Sequence, residues 1–351
     1  MTKLGIDRVH GGAAGDLLDF SASVNPLGPP PEAIEAYLDA AQRIVRYPDP
    51  EASKLRDALA RRHSVSPESI LVAAGSTAVF HLFAEVIAPE RPAVVIPTFS
   101  EIANASLLRG RHVSPLVLDA ACSFAWPRAE IAATLRRGCD ALFFGRPNSP
   151  TGSFVRRDDA REIAEQCARH GARCVIDEAF IDFVGEEESL ASVAAETEGL
   201  LVVRSLTKVF AIPGLRVGYA VAHPPLVDRL RSRRMPWSIS TPAEEVAVAC
   251  LGAPRAYVDR MLATVAEGRA QLISGLTRAG LTVFPSAANF VLVFDPSEAD
   301  PEKSLQAKLA RHGLAVRDLA ALPGLSPGFL RIAVRSPEDN EKLLRALSDA
   351  A

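Results

Sequence analysis

Arg204-Ser-Leu-Thr-Lys208-Val-Phe-Ala-Ile-Pro-Gly214-Leu-Arg216-Val-Gly218-Tyr219 is the stretch on which the fold and the chemistry both turn. It follows a short apolar run at 200–203, so Lys208 stands in a turn just beyond a buried strand. A lysine that serves as a nucleophilic amine needs its pKa lowered by desolvation or by a neighbouring cation, and Arg204 or Arg216 is placed to supply one. Arg216 can also clamp a phosphate, with Ser205 adding a hydroxyl donor. A lone Ser-x-x-Lys says little, because an isolated loop lysine is normally solvated. The full spacing, with Pro-Gly-x-Arg-x-Gly-Tyr behind it, says much more.

Outward from this segment, short apolar runs at 70–74, 93–96, 141–144, 174–176, 200–203 and 217–221 alternate with helical patterns such as 77–87 and 157–170. Strands apolar on both faces and separated by helices predict a mostly parallel sheet covered on each side. Ligands of such sheets sit at the carboxyl ends of the strands. After about residue 240 the texture changes: a long helical stretch at 243–280, a strand at 289–294, a helix at 302–312 and a strand at 330–334. The reading is α/β: an arm (1–38), a large domain (39–242) and a smaller α+β domain (243–351).

Three further motifs fall where strands end. Asp177-Glu178-Ala179-Phe180 follows the run at 174–176. A carboxylate at the buried end of a strand is costly unless a cation pairs with it, and a protonated pyridine nitrogen is such a cation. Taken alone, Asp177 also reads as a helix cap. Ala74-Gly75-Ser76-Thr77 joins a strand to a helix whose free N–H groups form a phosphate site. Pro147-Asn148-Ser149-Pro150-Thr151-Gly152 follows the run at 141–144 and by itself is only a turn.

The formal net charge of −3 argues against nucleic acid or an anionic membrane as partner. The densest basic run, Arg229, Arg231, Arg233 and Arg234, reads as a solvated helix end. Five cysteines without a Cys-x-x-Cys pair argue against a disulfide framework and against a zinc site, and no metal is expected. No leader-like apolar segment opens the chain and no run approaches 18 uncharged apolar residues, which predicts a cytoplasmic protein.

The order Gly-Ser-Thr, Pro-Thr-Gly, Asp-Glu-Ala, Ser-x-x-Lys, Arg resembles, across nearly the whole chain, the fold-type-I pyridoxal-phosphate enzymes, the aspartate-aminotransferase superfamily. The resemblance implies an aspartate-aminotransferase-like fold and pyridoxal 5'-phosphate as cofactor. Lys208 would hold it as a Schiff base and Asp177 would pair with the pyridine nitrogen. Gly75, Ser76, Thr77, Ser205 and Arg216 would hold the phosphate, with Ser149 and Phe180 at the ring. Tyr47, in Arg46-Tyr47-Pro48-Asp49, matches a tyrosine that reaches the neighbouring subunit's phosphate, which implies a homodimer with composite active sites. The chain departs from the pattern at Ser149, where the family has an asparagine, and at Ile102, where it has an aromatic ring over the cofactor. A cofactor-binding protein with little turnover is the reading those two positions favour.

Within the superfamily the chain is similar to two neighbouring families, the threonine-phosphate decarboxylases of cobalamin synthesis and the histidinol-phosphate aminotransferases. His10-Gly11-Gly12, Asp19-Phe20-Ser21-Ala22, Asn25-Pro26-Leu27-Gly28, Asp177 to Phe183, Arg204 to Lys208 and Met235-Pro236-Trp237-Ser238 carry the likeness to the decarboxylases. Arg317, Arg331 and Arg335 fit both. A phosphorylated amino acid brings a carboxylate and a phosphate, and His10, Asn25, Arg317 and Arg331 are the expected substrate-binding groups. The expected reaction is decarboxylation of L-threonine O-3-phosphate to (R)-1-amino-2-propanol O-2-phosphate, with a histidinol-phosphate-type aminotransferase as the alternative.

Overall fold

The apolar runs become the strands of one sheet, because each is long enough to cross it and buried on both faces. The computed structural model describes residues 4–5, 11–12, 16–296 and 304–348. A short strand β1 (Leu18–Asp19) precedes the large sheet. That sheet comprises β2 (Ile70–Ala73), β3 (Pro92–Ile96), β4 (Ser114–Val117), β5 (Ala141–Gly145), β6 (Arg173–Asp177), β7 (Leu200–Ser205) and β8 (Gly218–Ala222). Its order is β2-β8-β7-β6-β5-β3-β4. Every pairing is parallel except those of β8, which runs antiparallel to both β2 and β7. Two apolar clusters, one on each face, cover the sheet.

Edge strand β4 has no apolar run to announce it. Pro115 cannot donate to a ladder, and such residues are confined to edges. The helical stretch at 243–280 is in fact two helices, Thr241–Leu251 and Arg255–Arg278. Pro254 precedes the second, and its fixed φ and missing N–H stop the first from running on.

The second unit has β9 (Thr282–Phe284), β10 (Phe290–Phe294), β11 (Leu314–Ala315), β12 (Arg317–Asp318) and β13 (Phe329–Ala333). Four of these form an antiparallel sheet in the order β12-β13-β10-β9. Helices Arg255–Arg278, Leu305–Arg311 and Pro337–Ser348 lie against one side of it around Leu272, Val291, Leu309, Ile332 and Leu343. The arm joins this unit, since β1 pairs in parallel with β11. Its helix Pro31–Ala41 lies on helix Thr241–Leu251.

Among the described residues no helix is long and apolar enough to cross a membrane, and no group of side chains could hold a metal ion. Four cysteines are buried, whereas Cys122 is exposed. The basic run is not wholly solvated: Arg234 donates to the carbonyls of Val72 (3.0 Å) and Pro50 (2.7 Å).

Candidate active site

The carboxyl ends of β3, β5, β6 and β7 open into a cavity of about 950 Å³, closed on the far side by the arm and by β12 and β13. A cavity of this volume suits a cofactor together with a small substrate. The chain has six lysines, and Lys208 is the one that lines it among the described residues. Ser205 ends β7, and the one-turn helix Leu206–Val209 then carries Lys208 inward. Burial pushes the ammonium down to about 8, and Arg331 and Arg216 push in the same direction. Lys208 Nζ stands 5.9 Å from the centre of the Phe180 ring.

The cation beside Lys208 is therefore Arg331 and Arg216, and not Arg204. Arg204 emerges on the other side of β7, where its guanidinium meets Asp182 (3.1 Å) and Glu186 (3.0 Å). That alternation comes from the strand's period of two, which sends neighbouring side chains to opposite faces. Asp177, the last residue of β6, and Glu178, just beyond it, part in the same way. Asp177 lines the cavity. Glu178 is buried behind it and accepts from Arg146 Nη1 (2.5 Å), Ser189 Oγ (2.6 Å) and the Leu190 N–H (3.0 Å). Burial raises Asp177 to about 6, partly offset by the Ala179 N–H that its Oδ1 accepts at 2.9 Å and by Lys208.

One end of the cavity is built for a phosphate. Helix Ser76–Val86 starts after Gly75, whose φ of 86° only glycine adopts without strain. A side-chain carbon on Gly75 would lie 2.8 Å from Arg216 Nη2. One on Gly218 would lie 2.5 Å from the Ser76 nitrogen. Both glycines are thus required for the guanidinium and strand β8 to close on the helix N-terminus. Ser76, Thr77, Ser205, Thr207 and Arg216 line this end, and the hydroxyls of Ser205 and Thr207 are 2.8 Å apart. A helix N-terminus, hydroxyls and a guanidinium are the donor set a phosphate requires. With Asp177 placed for a pyridine nitrogen and Lys208 for a carbonyl carbon, the residues present fit pyridoxal phosphate.

The opposite end carries the substrate candidates. Arg317 and Arg331 face each other across β12 and β13 and both line the cavity. Arg331 Nη1 donates to Ser149 Oγ and Nη2 to the Ser21 carbonyl, each at 2.9 Å. Burial and the adjacent Arg317 lower Arg331 to about 10, which leaves it charged at neutral pH.

Asn25 is not where a substrate ligand should be. It lies behind Lys208, outside the cavity wall, and its amide is spent on protein groups. The polar arm residues that do line the cavity are Ser21 and Ser23, and Ser23 Oγ is buried without a partner. His10 lies outside the described residues. Ile102 packs into the core, while Phe99, Glu101 and Asn104 line the cavity. Helix Ser100–Leu107 presents residues three apart to one side, so the face toward the cavity misses Ile102. Glu101 accepts from Asn104 Nδ2 (2.7 Å) and lies 2.8 Å from His81 Nε2. Tyr47 stands on the surface, with its ring centre 5.2 Å from that of Trp237.

Sequence reasoning passed over Thr207, although it directly precedes the lysine. It also passed over Ser23, Glu101 and Asn104, whose positions depend on backbone turns that no spacing reveals.

Comparison with known proteins agrees with this geometry. The family model described as aminotransferase class I and II matches residues 15–347. The chain belongs to that family. It is therefore a pyridoxal-phosphate-dependent enzyme with the aspartate-aminotransferase fold. It is 35% identical over 333 residues to the threonine-phosphate decarboxylase of Salmonella typhimurium, covering 94% of this chain and 90% of that one. It is 32% identical over 337 residues to histidinol-phosphate aminotransferase 2 of Archaeoglobus fulgidus, covering 95% and 93%. Among solved structures, the histidinol-phosphate aminotransferase of Clostridium acetobutylicum superposes with a TM-score of 0.86 at 25% identity, over 95% of this chain and 98% of that one. Class I and II membership leaves open which bond of the substrate breaks.

Proposed function

We propose that the chain decarboxylates L-threonine O-3-phosphate to (R)-1-amino-2-propanol O-2-phosphate, for cobalamin biosynthesis. The observation that carries this reading is the 35% identity over 333 residues to a threonine-phosphate decarboxylase; the pair Arg317 and Arg331, which lines the cavity, fits either family and supplies charge for an anionic substrate. Two adjacent guanidiniums can hold a substrate that is anionic at both ends, one charge being the carboxylate to be lost.

Bound pyridoxal phosphate supplies an electron sink for a bond broken at the substrate's Cα. The protein's own part is placement and proton supply. Arg331, already donating to Ser149 and the Ser21 carbonyl, has the geometry to take a carboxylate in their stead. Lys208, pushed down to about 8, carries a proton at neutral pH and releases it readily, so it can protonate Cα where the carboxylate leaves. Asp177, although raised to about 6, remains ionised at neutral pH and can hold a proton on the pyridine nitrogen.

We infer a homodimer as well. Ile34, Tyr37, Leu38, Ile44, Val45, Tyr47, Met235 and Trp237 are all exposed, Val45 at 86% and Tyr47 at 85%. Exposed apolar side chains that lie together, as Tyr47 and Trp237 do with ring centres 5.2 Å apart, suit an interaction site. A partner subunit bound there would receive Tyr47 near its phosphate cradle. The cytoplasm is the compartment assigned, since a doubly charged phosphorylated substrate does not cross membranes unaided.

A histidinol-phosphate-type aminotransferase is the second reading. Glu101 favours it, as a carboxylate lining the same cavity that can accept from an imidazole N–H. Incubating the purified protein with threonine phosphate tests the choice: carbon dioxide and aminopropanol phosphate are expected in equal amounts. Glutamate formed from 2-oxoglutarate and histidinol phosphate, with no carbon dioxide from threonine phosphate, would overturn the first reading.

A further inference from the structure

We propose that Asn25 is a positioning residue, which fixes the turn carrying Lys208 and ties it both to the long helix of the small unit and to the anion-binding end of the cavity. The backbone N–H of Asn25 donates to the Lys208 carbonyl at 2.9 Å. Its side-chain Nδ2 donates to the Val209 carbonyl and to the Tyr257 hydroxyl, each at 2.8 Å. Its Oδ1 accepts from the Leu27 N–H at 2.9 Å. An amide has two N–H donors and one oxygen, so every group of this side chain is engaged by protein. Only 2% of the residue is exposed.

The turn needs these bonds. Helix Leu206–Val209 is one turn long, and the last carbonyls of any helix lack partners within it. Within the turn, the Lys208 carbonyl meets the N–H of Phe210, which it shares with the Leu206 carbonyl, and the Ala211 N–H at a long 3.5 Å. Asn25 supplies the close donor to that carbonyl and another to the Val209 carbonyl. Any residue at position 25 keeps the backbone N–H on the Lys208 carbonyl, but without the asparagine side chain the Val209 carbonyl loses its close donor; a buried carbonyl left unpaired is costly, so the turn must move to find another. Tyr257, on helix Arg255–Arg278, closes the arrangement by donating to the Gly28 carbonyl at 2.7 Å. Its ring stacks on Phe210 with centres 6.2 Å apart.

Four residues before Asn25, the same arm is held at its other end by Arg331, through the Ser21 carbonyl. Ala22, Ser23 and Val24, between the two attachments, line the cavity. The segment is short, with the Val24 N–H donating to the Ala22 carbonyl at 3.2 Å. An anion that draws Arg331 from the Ser21 carbonyl releases one end of a bracket whose other end holds Lys208. Asn25 thus couples anion binding to the lysine without touching the substrate.

The test uses holoenzyme and requires no substrate, so its failure is separate from failure of the decarboxylase reading. The visible absorption of the lysine-bound cofactor is titrated with pH in wild type, Asn25→Ala and Tyr257→Phe, and melting temperatures are recorded alongside. The charged groups facing the lysine nitrogen are Asp177 from β6, Arg216 before β8 and Arg331 from β13. A loosened turn admits water and carries the nitrogen away from both guanidiniums, and each change favours its proton. The midpoint is expected to rise by about half a unit or more in Asn25→Ala and by less in Tyr257→Phe. An unchanged midpoint in folded Asn25→Ala, even with a lower melting temperature, would make Asn25 a purely structural residue. Should Asn25→Ala fail to fold, Tyr257→Phe keeps the ring stack and carries the test, and an unchanged midpoint there overturns the proposal.

Discussion

Asp177 and Lys208 share one cavity, and burial drives each toward its neutral form, the acid up to about 6 and the amine down to about 8. Neither shift is large enough to abolish the charge at neutral pH. Asp177→Asn removes the carboxylate while keeping its shape, so the cofactor should stay bound, as read from its visible absorption. Turnover should fall by about a hundredfold or more, ~2.7 kcal/mol of barrier. Turnover within about twofold of wild type would show that the carboxylate does not act on the ring. Lys208, Asp177, Ser205 and Arg216, which the structure brings to one cavity, could be singled out in the sequence because each is a polar or charged residue close to the end of an apolar run. Asn25 was misread because an amide donates and accepts alike, and no spacing says whether it faces a substrate or a carbonyl behind the lysine. Phe99, Glu101 and Asn104 were hidden because they depend on the phase of one short helix, which turns Ile102 into the core instead.

At the scale of elements, the buried strands could be read from their apolar runs, but β4 could not, because an edge strand with Pro115 carries no such run. Nor could the direction of β8 be read, since periodicity is the same whichever way a strand points. Its antiparallel course matters, because it sets Gly218 against the N-terminus of helix Ser76–Val86. In Gly218→Ala the new carbon would meet the Ser76 nitrogen at 2.5 Å, a backbone atom that cannot swing aside. The phosphate end should open, weakening pyridoxal-phosphate affinity on the order of tenfold, the equivalent of ~1.4 kcal/mol. Equilibrium dialysis measures this directly. Unaltered affinity would mean that the close approach of β8 is not what shapes the cradle.

For the whole molecule, the arm ties the two units together: β1 pairs with β11, and Asn25 and Gly28 meet Tyr257. An arm over 1–38 was expected from the sequence, but not its partners, which lie more than two hundred residues away in sequence. The contact between Tyr47 and Trp237 was equally invisible, because the two come from separate segments of the chain. A charge there should be tolerated by the fold and not by an interface. Val45→Asp is expected to run as a monomer in light scattering, with lowered cofactor affinity if Tyr47 serves a neighbour's phosphate cradle. Dimers of undiminished stability would place the interface elsewhere.

The central claim is that Lys208 alone holds the cofactor, and borohydride reduction followed by peptide mapping tests it most directly. The pyridoxyl phosphate mass is predicted on the peptide containing Lys208 and on no other. Label on Lys54, Lys308 or any other lysine, with Lys208 unmodified, would contradict the site and the chemistry built upon it.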